Sequence, residues 1–270
     1  MRGLIGINAE TELMFELIPG FIDEELAALF AKYASMDSRN RVELGIGVQT
    51  VNLEVLRTMR RGIRAEKFAQ TLELLQRPGI SAKVDLILGL PGETEESWNR
   101  TLEYMCESLE HARDYFLCIH VLRGLPGTEL LGISDEYGQV FTDRDIPHEL
   151  YDSPAFPRDA MVRSLRRSAV AYRIMNAPRW NRATGITRTF HRLRKSSCLT
   201  YVEMIDHVVK SLISELDRKS RFLDPDFPNA EYWWFYRAIE EIPDELLARG
   251  LEDFLLLPNH GRPEYAKELQ

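Results

Sequence analysis

Over the first 130 residues short apolar runs alternate with longer amphipathic stretches. Leu13–Ile18 reads as a strand and Phe21–Tyr33 as a helix capped by Asp23. Arg41–Val48 is a second strand, Asn52–Gln76 mostly helix, and Ser81–Leu88 a third strand. Thr94 caps a helix to Leu109, with Glu95 and Glu96 in its first turn, and Tyr115–Leu122 is a fourth strand. Strands alternating with helices at this spacing predict a parallel sheet or barrel. The strands read as near-continuous apolar runs, which predicts cover on both faces. From Gly132 to Pro157 the pattern gives way to Gly, Pro, Asp and Tyr and reads as a connector. Beyond it, Asp159–Met175, Tyr201–Asp217, Glu231–Glu240 and Asp244–Leu256 read as helices, the middle two parted by Asp224-Pro225-Asp226-Phe227-Pro228.

Polar residues sit where these strands end, the place where parallel βα architectures build their ligand sites. Glu16 ends the first strand, Gln49 and Thr50 follow the second, Arg61 comes one short helix later, and Asp85 lies within the third. A polar residue in an apolar strand is costly without a partner, which singles out Gln49 and Asp85. Glu16 reads equally as an exposed strand-end acid, and Arg61 with Arg60 as a surface pair on a helix. Gly89, Gly92 and Gly127 serve either a ligand or tight βα turns. Gly89-Leu90-Pro91-Gly92-Glu93-Thr94 follows a strand and opens a helix, but no Gly-Lys-Ser/Thr follows, which argues against nucleoside triphosphate hydrolysis. Cys118 and His120 alternate on the fourth strand and share a face, so His120 either lines a pocket or is a satisfied core histidine.

Composition narrows the setting. No apolar run approaches the roughly 18 residues of a membrane span, and the apolar stretch near Met1 is too short for a signal peptide. The three cysteines, Cys106, Cys118 and Cys198, form neither a CxxC site nor a disulfide framework, and the six histidines show no metal spacing. A cytoplasmic protein is expected. Residues 1–146 hold 15 Lys/Arg against 24 Asp/Glu, whereas 158–195 hold eleven basic residues and a single acid, Asp159. With Tyr172, Trp180, Phe190 and His191 among them, those residues could meet an anionic partner such as RNA, or dock on the acidic first part.

The motif order Gly47-Val48-Gln49-Thr50, Asp85-Leu86-Ile87-Leu88-Gly89-Leu90-Pro91-Gly92-Glu93 and Gly124-Leu125-Pro126-Gly127-Thr128 resembles the second half of a radical S-adenosylmethionine (SAM) core. It is similar to oxygen-independent coproporphyrinogen III oxidase and to cobalamin-associated radical SAM proteins. The resemblance implies an α/β fold: a partial (β/α) barrel over 1–131, a connector over 132–157 and a helical region over 158–270. It implies that Glu16 and Gln49 face the SAM ammonium or ribose, Arg61 its carboxylate and Asp85 a ribose hydroxyl. Leu86, Ile87, Leu88 and Gly89 would contact adenine, with Thr50 and His120 lining the pocket.

The family's CxxxCxxC loop, which ligates a 4Fe-4S cluster, is absent from this sequence, as are its first two strands and a cobalamin-binding domain. The expected protein is thus the C-terminal portion of a radical SAM enzyme, parted from its cluster-binding half by gene splitting, a frameshift or a wrong start site. The alternative is a non-catalytic remnant that binds SAM or an anionic partner. Four strands with an open edge should seek a missing N-terminal half, another chain or a second copy.

Overall fold

The computed structural model describes residues 12–37, 40–62, 65–112, 114–142, 148–180, 185–219 and 247–251. Strand β1 (Glu12–Leu17), helix α1 (Glu24–Met36), β2 (Arg41–Gln49), α2 (Leu53–Thr58), α3 (Ala65–Leu74), β3 (Ile80–Leu88), α4 (Glu95–Leu109) and β4 (Tyr115–Val121) follow in order. The strands form one parallel sheet in the order β1-β2-β3-β4. Local chemistry starts the helices as expected. The Asp23 carboxylate accepts from Leu26 N at 2.8 Å, and Thr94 and Ser97 cap α4 reciprocally.

The two faces of the sheet differ, against the expectation that both are covered. Val42, Leu44, Ile46, Ala82, Val84, Leu86, Leu117 and Ile119 point to one side and are buried in the main core, which also takes in Phe30, Trp98, Leu102 and Met105 of the crossover helices. Their alternate neighbours, Glu16, Glu43, Ser81, Lys83, Phe116 and His120, are exposed or half-buried. Period-two alternation therefore runs through strands that look continuously apolar, because Gly45, Gly47 and Ile87 occupy positions on the polar face.

Residues 129–152 are not a bare connector. After β5 (Arg123–Gly124) come α5 (Glu129–Glu136), β6 (Val140–Phe141) and β7 (His148–Asp152), and the three short strands pair antiparallel in the order β5-β7-β6. This small sheet caps the ends of β3 and β4. Leu150 N donates to Leu122 O at 2.9 Å, and Gln139 Nε2 donates to Gly89 O at 2.7 Å.

The helical region contains α6 (Arg158–Trp180), α7 (Ile186–Ser196) and α8 (Tyr201–Lys219), with a further helical segment at 247–251. Helix α7 was not expected, although Ile186, Phe190 and Leu193 lie at helical spacing and are all buried. Helix α6 runs past the expected end at Met175 and takes in Pro178 in its last turn. The expected helix Glu231–Glu240 and the preceding Pro-rich stretch lie outside the described residues, as do both ends of Asp244–Leu256.

Among the described residues, one edge of the main sheet is covered and the other meets no strand. On the far side of β4, the Asn176 amide of α6 accepts from Leu117 N and donates to Leu117 O, both at 2.9 Å, so a side chain replaces the missing strand. Among the described residues no strand pairs with the outer edge of β1. Nearby, Met14 is 62% and Phe21 72% exposed.

The basic stretch docks on acids of this chain. Arg163 and Arg167 hold Glu95 at 2.6 Å, Arg167 also reaches Asp206 at 2.5 Å, and Lys195 meets Glu110 at 2.5 Å. Arg194 lies 3.5 Å from Glu103. Tyr172, Phe190 and His191 are buried, and His191 Nδ1 lies 2.7 Å from the Tyr201 hydroxyl. Those rings are not laid out on the surface for stacking on bases. No helix among the described residues is long and apolar enough to cross a membrane.

Candidate functional site

Strand register brings polar residues distant in sequence onto one face. Glu16 pairs with Gly45, Gly45 with Lys83, Gly47 with Asp85, Asp85 with Cys118, and Ile87 with His120. The two glycines make room for what lies over them. A Cβ on Gly45 would sit 2.7 Å from the Glu16 carboxylate, and one on Gly47 would sit 2.7 Å from Gln49 Nε2 and 3.4 Å from Arg61 Nη1. Arg61 donates to Gly47 O at 3.2 Å. Its neighbour Arg60 turns outward at φ 53° and pairs with the exposed Glu129 at 3.1 Å.

Gln49 is held in a backbone conformation uncommon for its type, at φ 68°, where the pairing of β2 with β3 slips by a residue. The bulge swings its side chain back over Gly47. Its Oε1 is buried and has no hydrogen-bond partner among the described residues. Strain together with an orphaned buried acceptor makes Gln49 a candidate site residue.

Asp85 is 9% exposed and carries two neighbours. Its Oδ1 lies 3.2 Å from His120 Nε2 and 3.4 Å from Lys83 Nζ. Burial works against the charge on Lys83, but the Asp85 carboxylate, assisted by Cys118 and Glu16, outweighs it and holds the ammonium above its usual range. Lys83 escaped the sequence reading, although it is two residues before Asp85 and so shares its face.

Thr50 and Gly89 belong to a different layer. The Thr50 hydroxyl donates to Glu93 Oε1 at 3.0 Å and lies 3.1 Å from the Thr101 hydroxyl of α4, all three groups being buried. Gly89 N donates to Glu93 Oε2 at 2.8 Å. Gly89 itself has φ 89°, and the side chains of Leu150 and Met161 fill the space a Cβ would take. Glu93 therefore ties the end of β2 to the turn after β3. It is 1% exposed with no cation beside it among the described residues, and burial pushes its pKa up to about 8, against hydrogen bonds from Gly89 and Thr50 that pull it down. The sequence offered no signal for this role beyond an acid inside a glycine turn.

The face thus gathers Glu16, Gln49, Arg61, Asp85, Ile87 and His120, adds Lys83 and Cys118, and rests on Thr50, Gly89 and Glu93 beneath the turns. Gly47→Ala is expected to cost only about 1 kcal/mol, because the atoms it meets end flexible side chains. Urea unfolding checks this, and a loss above about 3 kcal/mol would mean Gln49 and Arg61 cannot move aside.

Comparison with known proteins places part of the chain. Residues 2–105 match the radical SAM superfamily. A tRNA-2-methylthio-N(6)-dimethylallyladenosine synthase of Trichlorobacter lovleyi is 33% identical over 44% of this chain and 26% of its own length. The ribosomal protein uS12 methylthiotransferase RimO of Protochlamydia amoebophila is 34% identical over 33% of this chain and 18% of its own. The chain spans about a quarter or less of these relatives. Among solved structures, coproporphyrinogen III oxidase of Escherichia coli, a radical SAM enzyme, aligns over 62% of this chain and 32% of its own at 23% identity and a TM-score of 0.42.

Proposed function

With residues 2–105 homologous to the radical SAM superfamily, we propose that this chain is the SAM-holding portion of a radical SAM enzyme. It is completed by a polypeptide that carries the iron–sulfur cluster. The observation that carries the reading is Gln49, whose Nε2 lies over Gly47 beside Arg61 and whose buried Oε1 has no hydrogen-bond partner among the described residues.

The polar face fits SAM group by group. Arg61 supplies the cation for its carboxylate, Glu16 and Gln49 supply acceptors for the ammonium or ribose, and Asp85 accepts from a ribose hydroxyl. His120 and Lys83 orient Asp85, Ile87 offers an apolar wall for adenine, and Gly89 shapes the turn beneath it with its N–H and C=O engaged by Glu93 and Gln139. Thr50 supports the pocket through Glu93 rather than lining it. Bound SAM supplies a sulfonium that can be reduced; the residues here bind and orient it.

The chain's own cysteines do not fit a cluster. Cys106 is on the buried face of α4 with its thiol pushed well above the usual range by burial, Cys118 lies on the polar face, and Cys198 is exposed just after α7. The cluster, and any cobalamin, belongs to another segment. The outer edge of β1, with Met14 and Phe21 exposed beside it, is where further strands of the sheet would add. On the alternative reading the same pocket binds SAM without catalysis, and the missing cysteine triplet favours it.

Equilibrium dialysis with labelled SAM tests the reading. Wild type is expected to bind, and Asp85→Ala and Gln49→Ala each to weaken binding about 10–100-fold, the worth of one hydrogen bond to a charged or buried partner. Affinity unchanged in both variants would sink it. Radical cleavage of SAM after addition of a cluster-bearing half would exclude the non-catalytic alternative.

A further inference from the structure

Asp85, Cys118 and His120 stand together on neighbouring strands of the polar face, and the SAM reading uses only part of that group. One atom from each, a carboxylate oxygen, Sγ and an imidazole nitrogen, all lie within 4.8 Å of one another. Register holds them there: Asp85 is directly opposite Cys118, and His120 is two residues further along β4 on the same face. The geometry points to a binding site for a divalent cation of the zinc class, with these three residues as its protein ligands. The inference does not rest on the SAM reading.

The chemistry of the donors selects the ion. A thiolate, an imidazole and a carboxylate suit a borderline ion such as Zn²⁺, whereas Mg²⁺ and Ca²⁺ take oxygen ligands. Three protein ligands leave a fourth position on the open side, the pattern of zinc sites that hold water or a substrate atom. Ligand atoms of a tetrahedral zinc site are roughly 3.4–3.7 Å apart, by the usual zinc–ligand distances, so closing from 4.8 Å asks for side-chain rotation and no strand movement.

Access and charge also fit. Asp85 and Cys118 are buried, so their fixed positions favour ligation, while the His120 side chain is 39% exposed and leaves a route in. Lys83 Nζ stands 3.4 Å from the same carboxylate oxygen that His120 approaches. The ammonium occupies the electrostatic position that a cation would take and competes with it. Because Asp85 serves both occupants, the ion and SAM should exclude one another.

Titration of the full chain with Co²⁺ alone, followed by Zn²⁺ displacement, tests the site. Expected are a thiolate-to-cobalt charge-transfer band and the strong visible absorption of a four-coordinate ion, both abolished by Zn²⁺. Cys118→Ser should remove the charge-transfer band, and Cys198→Ser should leave it intact. His120→Ala should weaken Co²⁺ binding by at least the roughly 10–100-fold that loss of even an outer partner costs. Lys83→Met should tighten it, which a misfolded variant would not do. Absence of the band in wild type, or its survival in Cys118→Ser, overturns the site. A cobalt band without SAM binding would leave the site standing and remove the SAM reading, and SAM binding without a band would do the reverse.

Discussion

Glu93→Gln is expected to abolish a fall in stability that the wild type shows between about pH 4.5 and pH 8. The Glu93 carboxyl has an ordinary value of 4.5 and is pushed up to about 8 by burial. A group whose folded pKa is raised contributes stability that is complete below its unfolded pKa and is lost as pH rises through the folded one. The native protein therefore keeps this proton at neutral pH, where the unfolded chain has released it. A difference of that size corresponds to about 3–5 kcal/mol between the two limits.

Glutamine fits the same place. Its carbonyl can accept from Gly89 N, and its amide can donate to Thr50 Oγ1 once that hydroxyl turns its own proton from Glu93 to the Thr101 hydroxyl. Urea unfolding of both proteins from pH 4 to pH 9 measures the effect. The two should match at the acid end and diverge toward alkaline pH, with the variant more stable. Parallel curves would show that the carboxyl is not the group being titrated.

Asn176→Ala should be the most damaging substitution in the helical region, at about 2–4 kcal/mol. The Asn176 amide satisfies both backbone groups of Leu117, a residue with no exposed surface. Removing it leaves a buried N–H and a buried C=O without partners, each costing about 1–3 kcal/mol. Asn176→Asp should do no better, since it keeps an acceptor for the N–H but sets a carboxylate against the carbonyl. A lowered urea midpoint with an unchanged slope would confirm the origin. A loss below about 1 kcal/mol would mean water reaches the β4 edge.

Both predictions concern groups that the sequence reading passed over, for related reasons. Glu93 reads as part of a glycine turn, and Asn176 falls just beyond the expected end of a helix at Met175. Neither carries a local pattern; each is defined by partners far along the chain, Thr50 and Leu117. The same holds for the basic stretch. Arg163, Arg167, Arg194 and Lys195 read either as a footprint for an anionic partner or as a surface docking on the acidic first part, and their counter-charges are Glu95, Glu103 and Glu110 of that part together with Asp206. Composition can count charges but cannot show which of them face each other.

The sequence alone determined the parallel βα architecture, the succession of four strands along the chain and the caps of α1 and α4. These follow from local periodicity and from side chains that bond within three residues of themselves. It also determined that this chain holds no cysteine triplet. Only the tertiary structure decided which sheet face is polar, because glycine and isoleucine hide the alternation until strands are laid in register. That register, set by the burial of the opposite face, puts Glu16, Lys83, Asp85, Cys118 and His120 together from three strands spanning about a hundred residues. It likewise closes one edge of the sheet with an asparagine and leaves the other bare of any described strand.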